Sequence, residues 1–217
     1  MKTADREKIV AALPFASRVA FCAFCAERCL GEARRHERAR EQLAHEPLLE
    51  EGVALLWRRA EHPLEPDRAR VTAIVDHVRG YEVAAKHGEG TDYTVDVALV
   101  KAVIPLFKGL ALVLDPSAHD ELDSVSLDGG PPNRVRIPRY VAGAINGPYQ
   151  SVSLIYADHE AARAGEMAVL DVALERLLAL GSAPFSRAVL DGLADWPRGE
   201  VGARYVRGIA GSHDEAD

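Results

Sequence analysis

Three cysteines, Cys22, Cys25 and Cys29, are the residues of this 217-residue chain whose types and spacing most directly suggest chemistry. Separations of three, four and seven place their sulfurs on one face of a helix. Thiolates so arranged suit zinc or an iron–sulfur cluster, yet such sites usually take four ligands and a turn that lets the sulfurs converge. The segment around them reads as continuous apolar helix, and cysteine is among the most buried residue types. Packing is therefore the favoured role, with a metal site or redox chemistry as the alternatives. An odd count of cysteines confined to eight residues builds no disulfide framework, which points to a reducing cytoplasm.

The next candidates are charged groups set among apolar ones. Glu27 and Arg28 lie inside the cysteine-bearing helix, so one or both must be carried close to the core and need a partner there. The functional reading is a site carboxylate or an anion clamp; the structural reading is an ion pair tying that helix to a neighbour. Asp76 and His77, adjacent on a later helix, invite the same two readings. Arg134, Arg136 and Arg139 interleave with Val135, Ile137 and Tyr140, a small basic and aromatic patch in an acidic protein. Three arginines without a wider basic field supply little of the electrostatic affinity that nucleic acid requires. A solvated loop or an internal salt-bridge set is the plainer account of them.

Motifs with a known mechanism are not found. Eight histidines are scattered along the chain, and the closest to a metal pattern, His36 and His45, are nine residues apart. Neither H-E-x-x-H nor a P-loop occurs, and the serines lack a nucleophile-elbow context. Asp128-Gly129-Gly130-Pro131-Pro132 has the glycines of a phosphate loop without its lysine. The sequence therefore implies no cofactor and no catalytic residue.

Composition sets the elements that must position these groups. Ala, Leu, Arg and Glu are abundant and aromatics make up 6%, which is helical usage. A first helix is expected from Phe15 to Leu30, opened by Pro14 and stopped by Gly31, with an apolar face wide enough to make it central. The charged stretch Glu32 to Glu46 reads as a solvated helix. A third helix follows Pro47 and must end at His62, ahead of Pro63. A fourth begins at Asp67 with Val71, Ile74, Val75 and Val78 as its stripe, and a fifth runs from Asp92 to Leu114 with Pro105 kinking or splitting it. Closely spaced turn signals make residues 115–157 irregular. Helix returns from Asp158 to Leu180, stopped by Gly181, and a last helix is expected over Pro184 to Asp195. The whole describes an all-α single domain, 1–217, a bundle of six to seven helices with frayed ends at 1–12 and 208–217.

Leu13-Pro14-Phe15, the run Phe21 to Arg28 and Leu55-Leu56-Trp57 resemble the bacterial DUF416 proteins over roughly the first sixty residues. That resemblance implies a small all-helical fold and brings no reaction with it. The stretch Asp115 to Pro148 has no counterpart in it.

Charge completes the reading. Lys and Arg total 26 against 33 Asp and Glu, a formal net charge of −7, the opposite of a nucleic-acid binder. The apolar stretches are interrupted by charges, which argues against a membrane span, and no signal peptide is expected at the N-terminus. A compact acidic helical protein without catalytic motifs matches an immunity or antitoxin-type partner that blocks another, basic protein, and a homodimer is compatible with it. The rival is an enzyme or small-molecule binder with a polar site in an interhelical cleft, built from Glu27, Arg28, Asp76, His77 and the Arg134–Tyr140 segment.

Overall fold

The computed structural model describes residues 6, 9–10, 12–34, 43–44, 46–87, 93–116, 119–124, 133–138 and 159–193. Its elements in chain order are α1 (Phe15–Ala33), α2 (Pro47–Glu61), α3 (Arg68–His87), α4 (Tyr93–Leu114), β1 (His119–Ser124), β2 (Asn133–Pro138), α5 (His159–Leu180) and a 3₁₀ turn (Arg187–Leu190). The packed core of the described residues is built mainly from the helices, and no described helix is long and apolar enough to cross a membrane.

Helix α1 is the hub, packing on α2, α4 and α5. Every residue from Val19 to Ala26 is buried, the pattern of a helix with neighbours on all sides. Gly31 does not end it: the helix continues to Ala33, which is itself buried, so packing outweighs the roughly 1 kcal/mol that glycine costs inside a helix. Around α1, α4 also packs on α2 and α3. Two glycines permit the close crossings. A Cβ on Gly109 of α4 would lie 2.6 Å from a Leu56 methyl and 2.8 Å from Cβ of Cys22, and one on Gly52 of α2 would lie 3.0 Å from Leu106.

Helix ends follow local chemistry. His62, in extended conformation ahead of Pro63, closes α2. Asp67 opens α3, its carboxylate accepting the Arg70 N–H at 3.1 Å and its carbonyl the Val71 N–H at 2.9 Å, an N-cap arrangement. Gly181, at φ +58°, ends α5, a left-handed position that glycine takes without a Cβ clash.

Of the two outcomes expected at Pro105, kinking or splitting, the split does not occur: α4 runs unbroken through it. Two further expectations are corrected. The segment expected to be irregular contains the antiparallel pair β1–β2, with Asp123 opposite Arg134 and Glu121 opposite Arg136 in its register. The final helix is only the 3₁₀ turn, because Ser186 is extended, Asp191 is non-helical and Gly192 sits at φ +77°, while Phe185, Leu190 and Leu193 still reach the core. Of the ends expected to fray, Arg6 and Val10 are buried, and Arg6 pairs with Asp171 of α5 at 2.6 Å. Residues 208–217 lie outside the described residues, as does most of the charged stretch after α1.

Candidate functional site

Glu27 and Arg28 are consecutive, so about 100° of helix rotation sends their side chains to different neighbours. Arg28 turns inward. It is 2% exposed, and its guanidinium donates to both carboxylate oxygens of Glu166 on α5, at 2.7 and 2.5 Å. A third N–H reaches the Leu193 carbonyl at 2.5 Å, and the Phe24 ring lies 5.6 Å away. Burial acts to lower the Arg28 pKa, but the charge and hydrogen bonds of Glu166 hold it above its ordinary value. This is a structural ion pair fastening α1 to α5 and to the segment beyond it, not an anion clamp open to ligand.

Cys25 and Cys29 lie near that pair, whereas Cys22 lies near Arg18 and against Gly109. All three are buried, and burial pushes the Cys22 thiol up to about 12 against the partly opposing charge of Arg18. Cys25 is raised well above its usual range by burial first, then by the neighbouring thiols and Glu166. A thiol so raised stays protonated, the opposite of what a nucleophile needs. Among the described residues no group of three His, Cys, Asp or Glu is placed to hold a metal ion.

Glu27 turns sideways toward α2 and builds a different kind of site. Its Oε2 accepts the Trp57 indole N–H at 3.1 Å, and its Oε1 accepts Arg187 at 2.5 Å. The Arg187 guanidinium lies over the Trp57 ring, 4.8 Å from its centre, and Phe185 stacks on that ring at 6.1 Å with the planes 12° apart. Beside this group is a pocket of about 230 Å³, lined by Leu30, Val53, Ala54 and Trp57 together with charged residues. Its far rim is Arg34 and Glu50, paired at 2.7 Å and both exposed. A cation held by a carboxylate and an indole face is a recognition device. The Glu27 carboxylate, already accepting two hydrogen bonds, is poorly placed to take a proton from a substrate.

A second, larger cleft of about 430 Å³ lies between the end of α2 and the start of α3, lined by Arg58, Arg59, His62, Arg70 and Glu51 among others. Arg70 is tied there to Glu51 by two hydrogen bonds, one of 2.6 Å. The remaining candidates are dispersed. Asp76 is exposed with Arg79 3.9 Å away, and His77 contacts Glu46 at 2.6 Å; neither lines either pocket. Arg134 and Arg136 stand on β2, whereas Arg139 and Tyr140 lie outside the described residues.

Of the described residues singled out from sequence, Glu27 lines one of these two pockets, and its companions Trp57, Arg187, Arg34 and Glu50 were missed. Trp57 reads as one more apolar residue of α2, and Arg187 is 160 positions from its carboxylate. The one available signal was a tryptophan, whose N–H needs an acceptor when buried. No protein-family model, curated protein or solved structure matches this chain.

Proposed function

We propose that this protein works by binding another protein, as a blocking partner of the immunity or antitoxin type. The observation that carries the reading is the division of its polar groups. Groups with chemical potential inside the fold, Arg28, Glu166 and the three thiols, are consumed by packing and pairing. Nearer the surface, Glu27 and Arg187 gather over the edge of the buried Trp57 beside a pocket, and tryptophan and arginine are among the residue types enriched at interface hot spots. The net charge of −7 favours a basic partner through complementary potential and fast, salt-sensitive association. The resemblance of roughly the first sixty residues to DUF416 proteins enters the proposal only as consistent with a small all-helical scaffold, placed in the cytoplasm, and adds no activity.

The test is copurification with the tagged full chain from its native host, followed by reconstitution from two pure proteins. A stable stoichiometric complex with a basic protein is expected. Failure to find any protein partner, together with turnover or tight binding of a metabolite by the pure chain, overturns the reading.

One observation favours the rival, a small-molecule binder: the α2–α3 cleft of about 430 Å³ falls within the roughly 300–1,000 Å³ typical of ligand pockets. Thermal-shift screening of metabolites against wild type and Arg58→Ala separates the two.

A further inference from the structure

We propose that the pocket beside Glu27 and Trp57 receives a guanidinium or ammonium side chain of the basic partner, and that Arg187 is a resident competitor which that side chain displaces. The proposal deepens the binding-protein reading and rests on it for the nature of the partner.

The cage already shows what it binds. Arg187 is held by one carboxylate oxygen of Glu27 and by the face of Trp57, the two interactions by which a protein recognises a cationic side chain. It is held exchangeably, since its side chain is 47% exposed and an ion pair so open to water is weak. The backbone of its turn is secured by other means. Arg187 N–H donates to Glu61 at 2.9 Å, Arg176 donates to the carbonyls of Val189 and Asp191, and Phe185 and Leu190 are buried. The Arg187 side chain can therefore swing into water while the turn stays in place.

The adjoining space suits a side chain. At about 230 Å³ it lies below the usual ligand range, and its lining mixes apolar Leu30, Val53 and Trp57, which suit the methylene stem of an arginine or lysine, with charged groups that suit its head. The cation entering there meets a second carboxylate, Glu50. That group is 68% exposed and paired only at the surface, with Arg34, so it can be redirected at little cost. A protein partner presents such a side chain already tethered, and the overall negative charge draws a basic one in.

The experiment titrates the full chain with a hexa-arginine peptide and, separately, with N-acetyl-arginine amide, following the Trp57 indole N–H by NMR, assigned with Trp57→Phe. The peptide is expected to shift that resonance. Arg187→Ala should tighten binding about three- to tenfold by removing the competitor, and Glu27→Gln should weaken it about tenfold while keeping an acceptor for the indole. Glu175→Gln, the same charge change on exposed α5, should leave affinity unchanged, and circular dichroism confirms folding of each variant. Equal affinities for wild type, Arg187→Ala and Glu27→Gln, or an unmoved indole resonance, overturn the site. If the free amide binds as tightly as the peptide, the commitment to a protein side chain fails. A site that responds as expected in a protein without a native partner leaves the cage standing and removes the function; a native complex indifferent to Glu27→Gln does the reverse.

Discussion

Replacing Arg28 by methionine tests how much the interior depends on one ion pair. Arg28 and Glu166 have side chains 2% and 3% exposed and share two parallel hydrogen bonds, so removing the arginine strands a carboxylate in the core. Breaking such a pair from one side typically costs about 3–5 kcal/mol. At about 2–4 °C per kcal/mol for a chain of this size, the melting temperature should fall by about 6–20 °C. Replacing both partners, Arg28→Met with Glu166→Leu, removes the stranded charge and should recover most of that loss, since apolar substitutes for buried pairs are often neutral. Denaturant unfolding followed by far-ultraviolet circular dichroism gives both values and their coupling. A loss below about 1 kcal/mol in the single variant, or simple additivity in the double, would refute the view that the pair is desolvated and structural.

Further consequences concern the same core. An unfolded Cys22 ionises near 9.0 and the folded one near 12, so between those values the native state holds a proton that the unfolded state has lost; stability is full below about pH 9 and declines toward pH 12. Unfolding midpoints at pH 8 and 10.5 should show that decline, reduced in Cys22→Ala, and a flat profile contradicts it. At neutral pH the three thiols should react with a disulfide reagent only after denaturation. Gly109→Ala places a methyl group within 3 Å of Leu56 and Cys22 and should cost about 1–3 kcal/mol, whereas a melting temperature equal to wild type would show that α1 and α4 can separate freely. Asp67→Ala removes the cap of α3 and should cost about 1 kcal/mol, visible as a small loss in the denaturant midpoint; Asp67→Asn should restore it.

What the sequence revealed follows from the range of the forces involved. Helix ends are set within four residues, so Pro63, Asp67 and Gly181 marked theirs, and the continuous apolar run around Cys22 marked α1 as the centre. The buried character of Arg28 was legible from its apolar neighbours, but its partner was not, since Glu166 lies 138 residues on. Gly31 misled because its local propensity cost of about 1 kcal/mol is small against the burial of Ala33 on the same helix. The Glu27 cage was hidden because it joins α1, α2 and a turn near residue 187, and charge spacing along one helix carries no trace of such a meeting. The turn itself hid because Phe185, Leu190 and Leu193 repeat much as a helix would.

The most direct test of a basic protein partner recognised through Glu27 is calorimetric titration of the purified partner into this chain at 50 and 300 mM salt, with wild type and Glu27→Gln. The account predicts tight binding at low salt, at least about tenfold weaker binding at high salt as screening shortens the reach of the charges, and a further loss in Glu27→Gln. Binding that ignores both salt and Glu27, or no binding at all, contradicts it.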